Sequence, residues 1–447
     1  MQNRIQHSQI LYSILALALA LRLFVALSHD PLALYYSGGG DTSWYLANGL
    51  AYFTGAETGM AHGIRFSTTA ITVPPVYFIF TGLLQNIFSF SGAIIAIWVV
   101  QAIAGTLVCL FAHDLVFALK EDNRAALFAA GTLAISPVMI QEASFIMTES
   151  LYIFFIMAGI WLYVCYAMQA HKRLDWSIVV LSGAVFGIAT LTRAVALLFP
   201  LGLAGHAVIY HGRIHWQRGS LIAMLLLSAH VAIVSTWTIR NLRVSNRFVI
   251  ASTEFFPAVW RGAVENDGSP GENDALLGEQ SAAEQASVII TREPLSYLQR
   301  RVEELLTAYL QPHGTIGLGG ESLKALTHDW ARSGFSAAGL WRLINGEGFW
   351  IKLLFYIWHY LGLIGGLFGM WLVRNNWRVA LVPIGFILYT TLLHLVVLAL
   401  PRYIFPTYPF YWIFASVAWV WLWDKLRVRV SQRDAKATIF EDQQIAA

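Results

Sequence analysis

Two carboxylates stand at the mouths of apolar runs, where a membrane would meet water. Asp41 follows the apolar residues 11–27, in the stretch Gly38-Gly39-Gly40-Asp41-Thr42-Ser43-Trp44-Tyr45. Glu149 heads a second run in Phe145-Ile146-Met147-Thr148-Glu149-Ser150. A carboxylate at such a boundary is costly unless solvated or paired, so both are functional-site candidates. Arg193, Arg240 and Arg402 occupy similar edges, Tyr403 adjoins Arg402, and the first loop adds His62 and Arg65. A carboxylate can accept a proton, and a planar guanidinium binds two oxygens of a phosphate at once. The set suits a reaction that needs a base and an anion clamp.

Each residue has a plainer reading beside the chemical one. Asp is a favoured helix N-cap, so Asp41 could cap a helix beginning at Thr42 while also doing chemistry. An acid in a first helical turn is favoured by the helix dipole, which suits Glu149. Arg193, Arg240 and Arg402 could snorkel from apolar helices into the interface. His230, His359 and His394 lie inside apolar runs and read as hydrogen-bonded packing groups, and Asp114 reads as structural. No set of residues has metal-ligand spacing, so metal ligands stay unassigned.

Composition sets the class of scaffold. Hydrophobic residues make up 57% and charged residues 12%, about half the charge of an ordinary globular domain. The mean hydropathy is +0.58. This predicts an all-α polytopic membrane protein. The 17 Trp and 18 Tyr fit interfacial aromatic belts. Cys109 and Cys165 both lie in apolar runs and imply no disulfide framework. The first apolar segment has Arg4 before it and no small-residue cleavage site after it, so it is expected to be retained.

About 20 apolar residues cross a bilayer. The expected spans are 9–28, 92–119, 125–141, 150–168, 177–193, 195–210, 220–238, 349–373, 379–400 and 404–423, about ten in all. Residues 73–90 are the ambiguous case, and the positive-inside rule decides it. If 73–90 lies in the interface, Arg4, Lys120, Arg124, Lys172, Arg173, Arg213, Arg218, Arg374, Arg378 and the tail from Lys425 all share one side. Both termini are therefore expected in the cytoplasm, in a multi-pass plasma or inner membrane protein. The outer side then holds the loop 29–91, the turn 142–149 and the long segment 239–348. Within that segment, 292–310 reads as an amphipathic helix with Leu295, Leu298, Val302, Leu305 and Leu306 on one face; the remainder reads as irregular. The expected organisation is a catalytic membrane module over 1–238, an extracytoplasmic segment over 239–348, and C-terminal membrane helices with a basic tail over 349–447.

In this order and on one side, the motifs resemble those of the C-type glycosyltransferases. Those multi-span enzymes take sugars from polyprenyl-phosphate carriers. The likeness is to the branch of protein O-mannosyltransferases and lipid A aminoarabinose transferases. Gly40-Asp41-Thr42-Ser43-Trp44-Tyr45-Leu46-Ala47 is similar to the first-loop motif of that branch, and Pro74-Pro75-Val76-Tyr77 to its double-proline segment. Thr148-Glu149-Ser150-Leu151 resembles the acidic motif of the second loop, Thr236-Trp237-Thr238-Ile239-Arg240-Asn241 a bacterial Trp-Arg-Asn segment, and Pro401-Arg402-Tyr403 the last-helix signature. There are two departures. Val73 stands where the aminoarabinose branch has a basic residue, and Glu149 stands where many relatives have Asp.

The resemblance implies inverting transfer of a sugar from a polyprenyl-phosphate donor to an acceptor hydroxyl on the extracytoplasmic side. Asp41 would be the base, and Glu149 would orient the acceptor or a cation. Arg402 with Tyr403, helped by Arg65, His62, Arg193 or Arg240, would hold the donor phosphate. Some relatives use a divalent cation, so that cofactor stays open. The expected partners are the donor, a glycan, lipid or protein acceptor and the bilayer, with no nucleic acid. A lipid-linked glycan transporter or flippase is the rival of another class. It should show repeats or broken helices near mid-membrane, whereas the charges here gather at one face. An O-antigen ligase or polymerase would lack the early Asp motif.

Overall fold

The computed structural model describes residues 2–32, 41–54, 60–61, 64–65, 71–168, 175–212, 215–264 and 279–445. Nearly all of these are helical. Helix α1 is Gln2–Leu27, α2 Asp41–Thr54, α3 Val76–Ile87, α4 Phe90–Lys120, α5 Asn123–Ala134, α6 Pro137–Gln141 and α7 Glu149–Leu162. Then come α8 Trp176–Thr192, α9 Phe199–His211, α10 Trp216–Ser245, α11 Phe255–Ala263, α12 Glu279–Arg292 and α13 Pro294–Leu310. The chain closes with α14 Leu323–Arg332, α15 Ala337–Ile344, α16 Phe349–Leu372, α17 Trp377–His394, α18 Pro401–Ile404 and α19 Tyr408–Ile445. A two-residue hairpin pairs Met60–Ala61 with Ile64–Arg65.

Among the described residues, seven helices are long and apolar enough to cross a membrane, or eight with the bent pair Asn123–Ala134 and Pro137–Ser144. Two more of the expected spans, α8 and α19, run beside them. Helix α8 is apolar but has only 17 residues. Helix α19 opens on a Tyr- and Trp-rich stretch that packs parallel to α16 through small residues. A Cβ on Gly362 would sit 2.6 Å from the Trp412 indole nitrogen, and one on Gly369 would sit 1.9 Å from the Phe414 carbonyl. Such close approach is how membrane helices gain contact without a hydrophobic driving force.

Several boundaries differ from the sequence expectation, for identifiable reasons. The span expected at 125–141 breaks by 55° between α5 and α6. Buried Arg22 donates to the Leu133 and Ala134 carbonyls at 3.0 and 3.3 Å, supplying the donors that the α5 end lacks. The span expected at 379–400 ends at His394, and the one expected at 404–423 starts only at Tyr408. Pro401 and Pro406 fall in that interval and Pro409 in the first turn of α19, where a missing N–H and a fixed φ favour short turns over one continuous helix. Helix α10 extends to Ser245, beyond the apolar residues 220–238, and ends at Asn246, which takes a left-handed φ of 52°.

The expectation of irregular chain across 239–348 is also corrected. Among the described residues, that interval holds α11 to α15 as well as the end of α10. The amphipathic helix is present as α13, but its buried face is Arg301, Leu305 and Ala308. Leu295, Leu298, Val302 and Leu306 are exposed. Short polar helices of this kind have weak periodicity over few turns, which is why pattern alone missed them.

The bundle has two chemically different ends. At one, Arg124 makes a two-point ion pair with Asp424 at 2.8 and 2.7 Å, and Asn376 donates to the Leu119 carbonyl at 3.0 Å. His206 donates to the Arg378 carbonyl at 2.6 Å, and His7 meets His113 at 3.0 Å. These contacts gather the segments carrying Lys120, Arg124, Arg374, Arg378 and Lys425. Lys172, Arg173 and Arg213 lie outside the described residues. The other end holds α2, α3 and the turns before α7, after α8 and around α18. Helix α3 has 12 residues, about 18 Å at 1.5 Å per residue, too short to cross. It lies on α2 instead, with glycines at the crossing: a Cβ on Gly82 would sit 2.1 Å from the Gly49 carbonyl oxygen.

Candidate active site

The turn that carries Glu149 has almost no regular structure of its own, so its backbone carbonyls need donors from elsewhere. Helix α4 supplies them. Trp98 donates its indole N–H to the Ser144 carbonyl at 2.8 Å. The Gln101 amide donates to the Ala143 and Phe145 carbonyls at 3.0 and 2.8 Å. Tyr77 from α3 fixes that amide by donating to its oxygen at 2.8 Å. Thr42, next to Asp41, donates to the Ile146 carbonyl at 3.4 Å. The first-loop helix and the second-loop turn are thus stitched together on one frame.

Two ion pairs face each other on this frame. Arg402 donates to Asp41 at 2.5 Å. Arg193, the residue that ends α8, donates to Glu149 at 2.5 Å. Thr148 donates to the other Glu149 oxygen at 3.2 Å. Tyr403 lies between the pairs. The Arg193 guanidinium carbon sits 5.2 Å from its ring centre and that of Arg402 sits 4.9 Å away. Arg402 also donates to the Tyr403 hydroxyl at 3.0 Å. Stacking on an aromatic face steadies a guanidinium while leaving its edge free for oxygen ligands.

The pairs differ in exposure, and this decides what each can do. The side chains of Arg193 and Glu149 are 12% and 3% exposed. Removing one partner would leave the other charge buried, a change worth about 3–5 kcal/mol. The Arg402 and Asp41 side chains are 30% and 47% exposed. A pair this open is worth about 1 kcal/mol or less, and an incoming anion can displace it. Burial works against the charge on Arg402, but Tyr403, Asp41 and Glu149 outweigh it and hold its pKa above the usual arginine value. Burial, then the charges of Asp41 and Glu149, push the Tyr45 phenol up, which keeps its proton as a donor.

Both pairs line a cavity of about 610 Å³, with Tyr45, His394 and Tyr403. One wall, from Leu197, Leu198, Leu393 and Val397, is apolar; another is the stretch from Phe248 to Arg261. A third ion pair, Arg261 with Glu254, stands on that second wall. Sequence reading did not single it out. It lies in the segment read as irregular, where neither residue had an apolar pattern to stand against. His394 donates to the Thr390 carbonyl at 2.8 Å, as the packing reading expected, while lining the cavity.

Of the other expected site residues, Arg240 stands apart from the cavity lining. Its guanidinium carbon lies 4.3 Å from the Trp237 ring centre and it donates to Asn241 at 3.1 Å. Backbone pairing joins Arg65 to Met60, but its side chain and all of His62 lie outside the described residues. Among the described residues, no group of three or more His, Cys, Asp or Glu could hold a metal ion.

A model of the dolichyl-phosphate-mannose-protein mannosyltransferase family matches residues 74–225. No curated protein matches the chain by sequence. Among solved structures, the oligosaccharyltransferase AglB from Archaeoglobus fulgidus, in complex with an inhibitory peptide and a dolichol-phosphate, is similar with a TM-score of 0.53 and 15% identity. The match covers 97% of this chain and 52% of that one. An oligosaccharyltransferase of the same organism, in complex with Zn and sulfate, gives a TM-score of 0.53 at 15% identity over 95% and 51% of the two chains. ArnT from Cupriavidus metallidurans, bound to undecaprenyl phosphate, gives 0.38 at 14% identity over 91% and 77%. The chain spans about half the length of the archaeal structures it matches. Its fold is similar to that of the archaeal oligosaccharyltransferase AglB.

Proposed function

We propose that this protein transfers a sugar from a polyprenyl-phosphate donor to an acceptor hydroxyl, by inverting displacement, on the extracytoplasmic side. The reading rests on the placement of Asp41 and Arg402, in contact at 2.5 Å within one open cavity. A base and a phosphate ligand are thereby within reach of the same substrate. The mannosyltransferase family match and the fold of the archaeal oligosaccharyltransferase support it.

In this reading, the donor's phosphate takes the Arg402 fork and releases Asp41. The prenyl chain follows the apolar wall at Leu197, Leu198 and Leu393. The acceptor oxygen attacks the anomeric carbon from the side opposite the phosphate. A carbon–oxygen bond to the acceptor forms, the bond to the phosphate oxygen breaks, and the acceptor proton passes to Asp41. The phosphate leaves on the prenyl chain with its added charge held by Arg402. A carboxylate is a weak base, but a positioned one still assists as charge develops. Fixed guanidinium charge at the leaving group supplies much of the remainder.

The basic segments at the opposite end of the bundle support a cytoplasmic placement there, and hence an extracytoplasmic site. Glu149 serves mainly to hold Arg193, whose charge faces the same cavity. A divalent cation finds no ready ligand set among the described residues, since Asp41 and Glu149 each bind an arginine. The three blocks 1–238, 239–348 and 349–447 remain our division of labour, with the middle block walling the cavity.

The test is release of free polyprenyl phosphate by the purified protein from a panel of polyprenyl-phosphate sugars, with and without a hydroxyl acceptor. Acceptor-dependent release from one donor supports the reading. Substrate-independent background with every donor overturns it.

A further inference from the structure

Besides the cavity wall at Phe248 to Arg261, the segment 239–348 reaches the site through His313. His313 follows the end of α13 and enters the protein between the two turns that carry the ion pairs. Its Nε2 donates to Glu142 at 2.9 Å. Its ring packs on Phe405, with centres 4.8 Å apart. Glu142 opens the turn that leads to Glu149, and the Ser150 hydroxyl donates to its carbonyl at 3.0 Å. Phe405 follows Arg402 and Tyr403 in the 401–407 turn. His313 therefore touches both halves of the site while lining neither.

The bond is made where it matters most. Glu142 is 2% exposed, and its Oε1 is buried with no hydrogen-bond partner among the described residues. A buried carboxylate with one oxygen unpartnered depends on the donor at the other. The chain after His313 is also constrained. Gly314 has φ +85°, and a Cβ there would sit 2.6 Å from the Gln141 side-chain oxygen. Only a glycine allows the loop to turn this closely against the second-loop turn.

We infer that His313 and Glu142 form a positioning pair by which the segment 239–348 sets the spacing between the Glu149–Arg193 and Asp41–Arg402 pairs. The inference rests on the transfer reading for its kinetic test, and a second readout separates the two. His313→Phe keeps the stack and removes the donor. His313→Gln keeps a donor at similar reach and removes the ring. Misplacing site groups by about an ångström can cost up to about 100-fold in rate.

His313→Phe should lower kcat by about 10- to 100-fold with little change in donor KM, and His313→Gln should recover most of that loss. In a Glu142→Gln background, His313→Phe should add almost nothing, because the pair acts as a unit. Hydrogen exchange, read without any substrate, should rise in His313→Phe at both 142–149 and 400–407. Equal kcat in His313→Phe and the unchanged protein, additive losses, or an exchange change confined to 311–316 would each overturn the inference. If the unchanged protein transfers nothing, the transfer reading fails and the exchange result alone decides the pair.

Discussion

Arg402 and Asp41 lie 361 residues apart in the chain and meet at 2.5 Å. The contact joins a candidate base to a candidate phosphate ligand, so each occupies the other until a substrate arrives. Its exposure keeps its strength near that of a surface pair, about 1 kcal/mol or less. A phosphate offers Arg402 two oxygens in a fork geometry, so it should win the exchange.

Arg402→Ala should abolish inhibition by free polyprenyl phosphate, and Arg402→Lys should be intermediate. Lysine keeps the charge but loses the planar fork. Inhibition constants for the product, measured against both variants, decide this. Unchanged inhibition in Arg402→Ala would make the arginine an interfacial anchor and move the phosphate to Arg193 or Arg261.

Glu149→Ala should destabilise the protein by about 3–5 kcal/mol, because Arg193 is left buried without its partner. Arg193→Ala should cost similarly, and the double variant much less than their sum. Thermal or denaturant unfolding in detergent measures the cycle. Additive losses would mean that the pair carries no coupling.

Gly82→Ala should separate α2 from α3, since its Cβ would sit 2.1 Å from the Gly49 carbonyl oxygen. Overpacking of this kind costs about 1–3 kcal/mol. It should also shift Asp41 relative to Arg402 and lower transfer beyond the loss of folded protein. Activity per folded molecule is the readout, and an unchanged value would show that the crossing does not place Asp41.

The topology has its own test in a protein with Cys109 and Cys165 replaced by alanine. Lys324→Cys should react with an impermeant maleimide in intact cells, and Asn375→Cys should react only after lysis. The reverse pattern would put the site on the cytoplasmic side.

Much of the site was legible because membrane proteins concentrate their information in a few charges. Asp41, Glu149, Arg193 and Arg402 stood out as ionisable groups at the ends of apolar runs, and the structure gathers them into one cavity. Arg240 had the same signature, yet it stacks on Trp237; position along a helix gives depth but not the face that a side chain takes. Glu142 lies seven residues before Glu149 in the turn 142–149, but no motif or apolar run marks it, and the bend after Ala134 that leads into this turn has no local signal either. That bend is stabilised by Arg22 from another helix, a long-range contact with no local sequence signal. Glu254, Arg261 and His313 belong to the segment 239–348, where short helices gave no period to read.

The most direct test of the account is the transfer rate of Asp41→Asn at saturating donor, measured on folded protein. Asparagine keeps the size of the side chain but cannot accept the proton, and it frees Arg402. The account predicts a fall of about 100-fold or more, with polyprenyl phosphate bound at least as tightly as before. A rate within a few-fold of the unchanged protein would contradict it.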